Sequence, residues 1–255
     1  MKVVVVKNVL GYNDRRAAKL RRKFEAAGTL AVNLMSSPGS GKTSLAEKLI
    51  PALRKRGASV AVIEGDCATT NDAERIEAAG APAVQVTTSG ICHLDAGMVA
   101  AACRKLGRLP DILFIENVGN LVCPAAFDVG EAERVVLVSV PEGDDKPEKY
   151  PEAFSEATGF VVNKIDLRGA CRFSIQRAVR AARAINPAMA VFETSCRTGG
   201  GIGQLADWLV QRRMQRFGTG TAKSAKAVKP AKRRTAKQQT TARKTTGKAR
   251  KKSSR

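Results

Sequence analysis

Two rhythms of hydrophobicity alternate along this chain. Short, mostly apolar runs, such as LAVNLM, DILFI and GFVVN, are followed by longer stretches in which apolar residues recur every three or four positions. The runs read as strands buried on both faces, and the longer stretches as helices with one apolar side. Strands are predicted at 30–35, 59–63, 83–88, 111–115, 134–140, 159–163 and 190–193. Helices are predicted at 12–27, after the loop that ends at Gly41, before Gly80, before Gly107, at 171–185 and at 202–217. The segment 51–57 closes the helix after Gly41 with basic residues and a glycine cap. GDDKPEKYP reads as a polar loop, and MKVVVVKNVLGY as a strand or packed arm. Strands alternating with helices indicate βαβ units. The fold class is therefore α/β, with a mainly parallel sheet of about seven strands covered on both faces. Such sheets place ligands at the carboxyl ends of their strands.

The pattern stops at Gly218. Residues 1–217 read as one domain and 218–255 as a disordered basic tail, rich in Ala, Lys, Thr and Arg without aromatics or an apolar period. Fourteen of the net twenty-one positive charges fall after residue 218, which leaves +7 for the rest. A tail of this composition attracts nucleic acid or another polyanion in a salt-dependent way, or only solubilises. In 12–27, Ala17, Leu20, Phe24 and Ala27 recur at helical spacing among Arg15, Arg16, Lys19, Arg21, Arg22 and Lys23. That reads as a packing helix with a solvated cationic face rather than a nucleic-acid surface. No apolar run is long enough for a membrane span, and the N-terminus lacks the plan of a signal peptide. Six cysteines scattered through an alternating strand–helix pattern suit the reducing cytoplasm, as free or metal-bound thiols.

Candidate chemistry centres on SSPGSGKTS, which follows a strand and opens a helix. That order is the context in which GxxxxGK[ST] marks a phosphate-binding loop, here with Ser36 at the first motif position, and it makes the α/β fold that of a P-loop NTPase. Pro38, Gly39, Ser40, Gly41 and Ser44 are the expected nucleotide-binding loop; the backbone N–H groups of all but Pro38, with the helix dipole, would cradle phosphates. Lys42 would reach the β/γ-phosphates and Thr43 would ligate Mg²⁺. Asn163-Lys164-Ile165-Asp166 matches NKxD at a strand end. A carboxylate there accepts from the ring N–H and exocyclic amine of guanine, a donor pair that adenine lacks. Thr194, Ser195 and Cys196, at the next strand end, are placed to give backbone contacts to the base. Glu116 ends a hydrophobic strand where a Mg²⁺-managing carboxylate belongs, and Asp66 is the alternative or second ligand. Gly119 follows where its N–H can sense the γ-phosphate. Lys42, Asp66 and Glu116 are the expected catalytic groups. His93, the chain's only histidine, adjoins Cys92, and Cys123 lies four residues after Gly119. Two thiolates and an imidazole suit Zn²⁺, Cu⁺ or Ni²⁺, with a position left for a water or a second subunit.

SSPGSGKTS, VIEGD, GICHLDAGMV, ENVGNLVCPAAFDVGE, GDDKPEKYP and VVNKIDL occur in this order. With them the stretch 26–217 resembles the HypB family, GTPases that help insert nickel into [NiFe]-hydrogenase. The CHLD and ENVGNLVCP segments carry more of that resemblance than the phosphate loop does. It implies a cytoplasmic homodimer of the SIMIBI class that works with the hydrogenase large subunit and an accessory nickel-insertion protein. It implies Cys92, His93 and Cys123 as ligands of a nickel or zinc site at the subunit interface, where two Cys123 thiolates could meet across a two-fold axis. It assigns GTP with Mg²⁺ to Lys42, Thr43, Asp66 and Glu116, and guanine to Asn163 and Asp166. Nucleotide state would then switch metal binding and dimerisation. Two departures narrow the expectation. The N-terminus carries no Cys-rich or His-rich segment, so no nickel store is expected there, and Gly97 stands where some members have a histidine. The competing readings are a related GTPase serving urease or a cobalamin enzyme, and a nucleic-acid-associated GTPase acting through its tail. A urease type would be expected to carry Cys-Pro-His, which is absent here.

Overall fold

The structure, a computed structural model, describes residues 9–66 and 71–218. Its strands are β1 (Leu30–Ser36), β2 (Val60–Asp66), β3 (Ala83–Thr87), β4 (Ile112–Glu116), β5 (Glu133–Ser139), β6 (Gly159–Asn163) and β7 (Ala190–Glu193). Among the described residues they form one sheet, all parallel, in the order β3-β2-β4-β1-β5-β6-β7. The helices are α1 (Val9–Ala27), α2 (Lys42–Lys55), α3 (Asn71–Ala78), α4 (Ala96–Leu106), α5 (Cys123–Ala126), α6 (Lys146–Lys149), α7 (Pro151–Ser155), α8 (Ile175–Ile185) and α9 (Ile202–Phe217).

Successive strand residues point to opposite faces, so an unbroken apolar run feeds two cores at once. Leu30, Val32 and Leu34 of β1 pack with Leu45 and Leu49 of α2, Ile76 of α3 and Leu205 of α9. Ala31 faces the other side, where Ala17, Leu20 and Phe24 of α1 meet Val99 and Cys103 of α4. Further along that side, Val136, Val138 and Val162 pack under Phe154 of α7 and Ala178 and Ala182 of α8. Phe154 and Phe160, both fully buried, meet edge to face at 5.3 Å. Each large side chain so buried contributes about 1.5–3 kcal/mol of transfer free energy.

The predicted elements stand, with four corrections. The first helix begins at Val9 rather than Tyr12, and residues 1–8 of the predicted strand or arm lie outside the described residues. Its face is set by Asn13, Ala17, Leu20 and Phe24, while Ala27 is exposed at the frayed end. Pro51 sits inside α2, which continues to Lys55; by that point the helix packs on α9 and tolerates the missing N–H. GDDKPEKYP, read as a loop, contains α6 and leads into α7, each opened by a proline. Finally, the helix predicted at 171–185 starts at Ile175, because the Ser174 hydroxyl accepts from Arg177 N and caps it. The tail lies outside the described residues. No described helix is long and apolar enough to cross a membrane.

Candidate functional site

The carboxyl end of β1, the middle strand of the sheet, runs into the phosphate-loop sequence and then α2. Ser36, the departure from the usual motif, is fully buried and useful: its hydroxyl accepts from Lys42 Nζ at 3.0 Å and donates to Ser37 O at 2.6 Å. Ser40 also donates to Ser37 O, at 2.8 Å. The Lys42 ammonium is thereby parked over the loop. Beside it opens a cleft of about 540 Å³ lined by Pro38, Gly39, Gly41, Lys42, Thr43, Ser44, Asp66, Glu116, Gly119 and Lys164 among others. This is one site, built from the ends of β1, β2 and β4 with the turn after β6.

Its acid side contains a group that sequence reasoning did not assign. The β2–β4 register sets Glu64 directly opposite Glu116, and both are buried. Burial and the facing Glu116 carboxyl push Glu64 up to about 10. Burial also raises Glu116, against the pull of Lys42 and of hydrogen bonds from Glu64 and Thr43. The Thr43 hydroxyl donates to Glu116 Oε1 at 2.8 Å. Beyond the bond the two carboxyls share, Glu64 Oε1 and Glu116 Oε2 have no donor among the described residues. Two buried carboxyls with unmet oxygens beside a threonine hydroxyl are the donor set of a hard divalent cation. Asp66, half-buried at the end of β2, lines the same cleft. Glu64 was findable: it lies two residues before Asp66, and strand alternation puts such pairs on one face.

At the other end of the cleft, the NKxD residues are tied to the phosphate loop. Asn163 Nδ2 donates to Ser40 O at 2.9 Å and Lys164 Nζ to Gly39 O at 2.7 Å. Thr194 Oγ1 donates to Asn163 Oδ1 at 3.0 Å, and Cys196 Sγ lies 3.6 Å from the same oxygen. The Ser195 hydroxyl donates to Asp166 Oδ1 at 2.5 Å and so aims that carboxylate. Backbone contacts to a base were expected from 194–196, but Thr194 N already donates to Val162 O and Ser195 N to Gly200 O. The hydroxyls of these two residues hold Asn163 and Asp166. Ser44 serves as an acceptor for Arg75, which also binds Glu47 and Asp72.

The third cluster joins two loops. Cys92 and His93 follow β3, and Cys123 opens α5, which the hydrophobic pattern did not predict. One ligand atom from each lies within 4.8 Å of the others. The free Cys92 and Cys123 sulfurs are 2.8 Å apart, and Cys92 Sγ is 3.9 Å from His93 Nδ1. The shared Cys92 hydrogen bond raises the Cys123 thiol, while burial lowers His93 and keeps its imidazole neutral, the form that ligates. Phe127 stacks on the His93 ring at 3.8 Å and fixes its plane. No sequence signal marked Phe127. Ile91 and Val122, beside the cluster, are exposed. Gly119 lies against Pro38, where a Cβ would come within 2.9 Å of the proline Cα, and Asn120 bridges to Ser36. The loop that leads to Cys123 therefore leans on the phosphate loop.

Residues 30–193 match the family described as CobW/HypB/UreG, nucleotide-binding domain. The chain is 49% identical over 214 residues to the hydrogenase maturation factor HypB of Azotobacter vinelandii, covering 84% of this chain and 70% of that one. HypB from Helicobacter pylori, crystallised in complex with nickel, superposes with a TM-score of 0.75 at 34% identity, over 83% of this chain and 99% of that one. The hydrogenase maturation factor HypB from Archaeoglobus fulgidus gives 0.74 at 40% identity, over 80% and 100%. A phosphate loop at the centre of a parallel sheet, a Cys-His-Cys cluster one loop away and these likenesses agree: the chain belongs to the HypB family of hydrogenase maturation factors, within the CobW/HypB/UreG group of P-loop GTPases.

Proposed function

We propose that this chain is a GTP-hydrolysing nickel metallochaperone for [NiFe]-hydrogenase maturation, cytoplasmic and homodimeric, whose nucleotide state sets metal binding. The observation that carries the reading is a single loop. Glu116, bonded to Thr43 in the phosphate site, and Cys123, a thiol of the metal cluster, are its two ends.

Each residue then has a task. Lys42 leaves Ser36 to meet the β/γ-phosphates, and loop N–H groups from Gly39 to Ser44 hold the rest of the triphosphate. Asp166, aimed by Ser195, accepts from the two guanine donors, and Asn163 keeps that turn on the phosphate loop. Thr43, Glu116 and Asp66 would hold Mg²⁺, with Glu64 behind them. Mg²⁺, when bound, neutralises charge on the β/γ oxygens during phosphoryl transfer. Glu116 accepts from Thr43, and the Glu64 carboxyl opposite it closes the acid end of the site. Gly119, against Pro38, reads the γ-phosphate. Nickel is cargo for Cys92, His93 and Cys123, a donor set that Zn²⁺ also suits. A second copy would supply the missing ligand, and exposed Ile91 and Val122 are the apolar surface it would cover. The hydrogenase large subunit and an accessory insertion protein would receive the metal.

Nickel titrations of Cys92→Ala, His93→Ala and Cys123→Ala, each with GDP and with a non-hydrolysable GTP analogue, test this. Each variant should lose at least about tenfold in affinity. The parent protein should bind nickel differently in the two nucleotide states. Equal affinity in both states would sink the switch, and full binding by all three variants would sink the site.

A further inference from the structure

Two buried asparagines hold the ligand loops from behind. Asn13, on α1, donates from Nδ2 to Asp128 O at 2.8 Å and accepts at Oδ1 from Ala96 N at 2.9 Å. It therefore clasps the segment after Cys123 to the segment after His93. Asn117 does something different because it is the next residue after Glu116. Its Oδ1 accepts from Leu94 N at 2.9 Å and from Val118 N at 3.1 Å. Its Nδ2 donates to Asn33 Oδ1 on β1 at 3.2 Å. Asn117 and Leu94 are both fully buried.

We infer that Asn117 is the positioning residue that transmits nucleotide state to the metal cluster, through its side-chain bond to the backbone of Leu94, next to His93. The inference deepens the switch proposed above and rests on it. The main chain from Glu116 through Gly119 leads to Cys123 alone. The Asn117 amide carries a displacement of that loop sideways to the Cys92–His93 loop, directly from the residue after Glu116. Leu94 receives a second input from the same end of the cleft. Its side chain fills the space over Gly65, between Glu64 and Asp66, so closely that a Cβ on Gly65 would meet it at 2.7 Å. Leu94 is thus wedged between the acid end of β2 and the residue after Glu116.

Small shifts suffice for this. The Cys92 and Cys123 sulfurs are 2.8 Å apart. A tetrahedral ion with 2.3 Å bonds holds two thiolates roughly 3.8 Å apart, so about 1 Å of relative loop movement separates a closed pair from a seated ion. Asn13 ties the same two loops but touches neither the phosphate loop nor the acids, and so serves as the static control.

The experiment compares nickel affinity of the full chain with GDP and with a GTP analogue, for the parent, Asn117→Ala and Asn13→Ala. Asn117→Ala should bring the two affinities to within about twofold of each other. Asn13→Ala should weaken nickel binding in both states by a similar factor, leaving their ratio as in the parent. An Asn117→Ala protein that keeps the parent ratio overturns the inference. So does Asn13→Ala erasing the ratio while Asn117→Ala does not. Hydrogen exchange of the Leu94 amide needs no substitution and stands if the alanine variant fails to fold. Its protection should differ between the nucleotide states, and identical protection while nickel affinity differs would refute Asn117 as the link. A parent protein with equal nickel affinity in both states would instead remove the underlying switch.

Discussion

Glu64 shows how a single residue can cost stability and serve a site. Its carboxyl is buried opposite Glu116 and pushed up to about 10. In the unfolded chain a glutamate ionises near pH 4.3. A raised folded value means that this group favours folding most below that pH, and that the advantage is lost as pH rises toward 10. Glu64→Gln, neutral throughout, should therefore be more stable than the parent without nucleotide. The gain should be about 1 kcal/mol at pH 5 and about 4 kcal/mol at pH 7, the latter roughly 7–15 °C in melting temperature. Thermal unfolding in chelator at pH 5, 7 and 8.5 decides it, and a gain that does not grow with pH counts against the buried proton. The same variant should hydrolyse GTP more slowly at limiting Mg²⁺, since it removes the acid that backs Glu116.

Between residues and the whole molecule, the element that matters is the loop from Glu116 to Cys123. It is short, touches Pro38 at Gly119 and Ser36 at Asn120, and ends in a one-turn helix. Gly119→Ala would put a methyl 2.9 Å from the backbone of Pro38, so the loop must lift. GDP affinity should change by less than about threefold, because the base and the β-phosphate are held elsewhere, whereas GTP hydrolysis should fall by at least about tenfold. Single-turnover hydrolysis alongside GDP titration separates the two, and unchanged hydrolysis would show that this loop does not read the γ-phosphate. Most of this element was hidden from hydrophobic patterning. α5 is too short for a helical period, and its proline at the second position gave the only local hint.

For the molecule as a whole, charge and fold are separable. Residues 219–255 hold fourteen basic residues and no acid, while the sheet and its helices end by Phe217. Deleting 219–255 should leave GTP hydrolysis and nickel affinity within about twofold, and abolish any binding to DNA or heparin that weakens steeply with salt. Loss of hydrogenase maturation on deletion, with both activities intact, would shift weight to the tail as the working part. Deeper in the fold, Arg134 links several elements at once. It binds Glu131 and Glu156, donates to Ala125 O beneath the metal loop, and is almost fully buried. Arg134→Ala would leave the buried Glu131 carboxylate with hydrogen bonds from Asn33 and Val129 but without the Arg134 ion pair, at a cost of about 3 kcal/mol read from urea unfolding.

The sequence by itself determined the seven strands, the long helices, the phosphate loop, the NKxD turn and the three metal-ligand candidates. Those features depend on spacings of a few residues, and local periodicity or a contiguous motif records them directly. Tertiary structure alone decided three others: that Glu64 faces Glu116, that Ser195 acts through its hydroxyl on Asp166, and that Asn117 reaches Leu94. Each depends on register between strands or loops far apart in the chain. Parallel pairing is fixed by burial summed over whole strands and leaves no mark at any one position. The phosphate loop and the Glu116-to-Cys123 loop were legible because their chemistry is contiguous, and the Asn117 bond to Leu94 was not, because its partners are separated in the chain and lie in different loops.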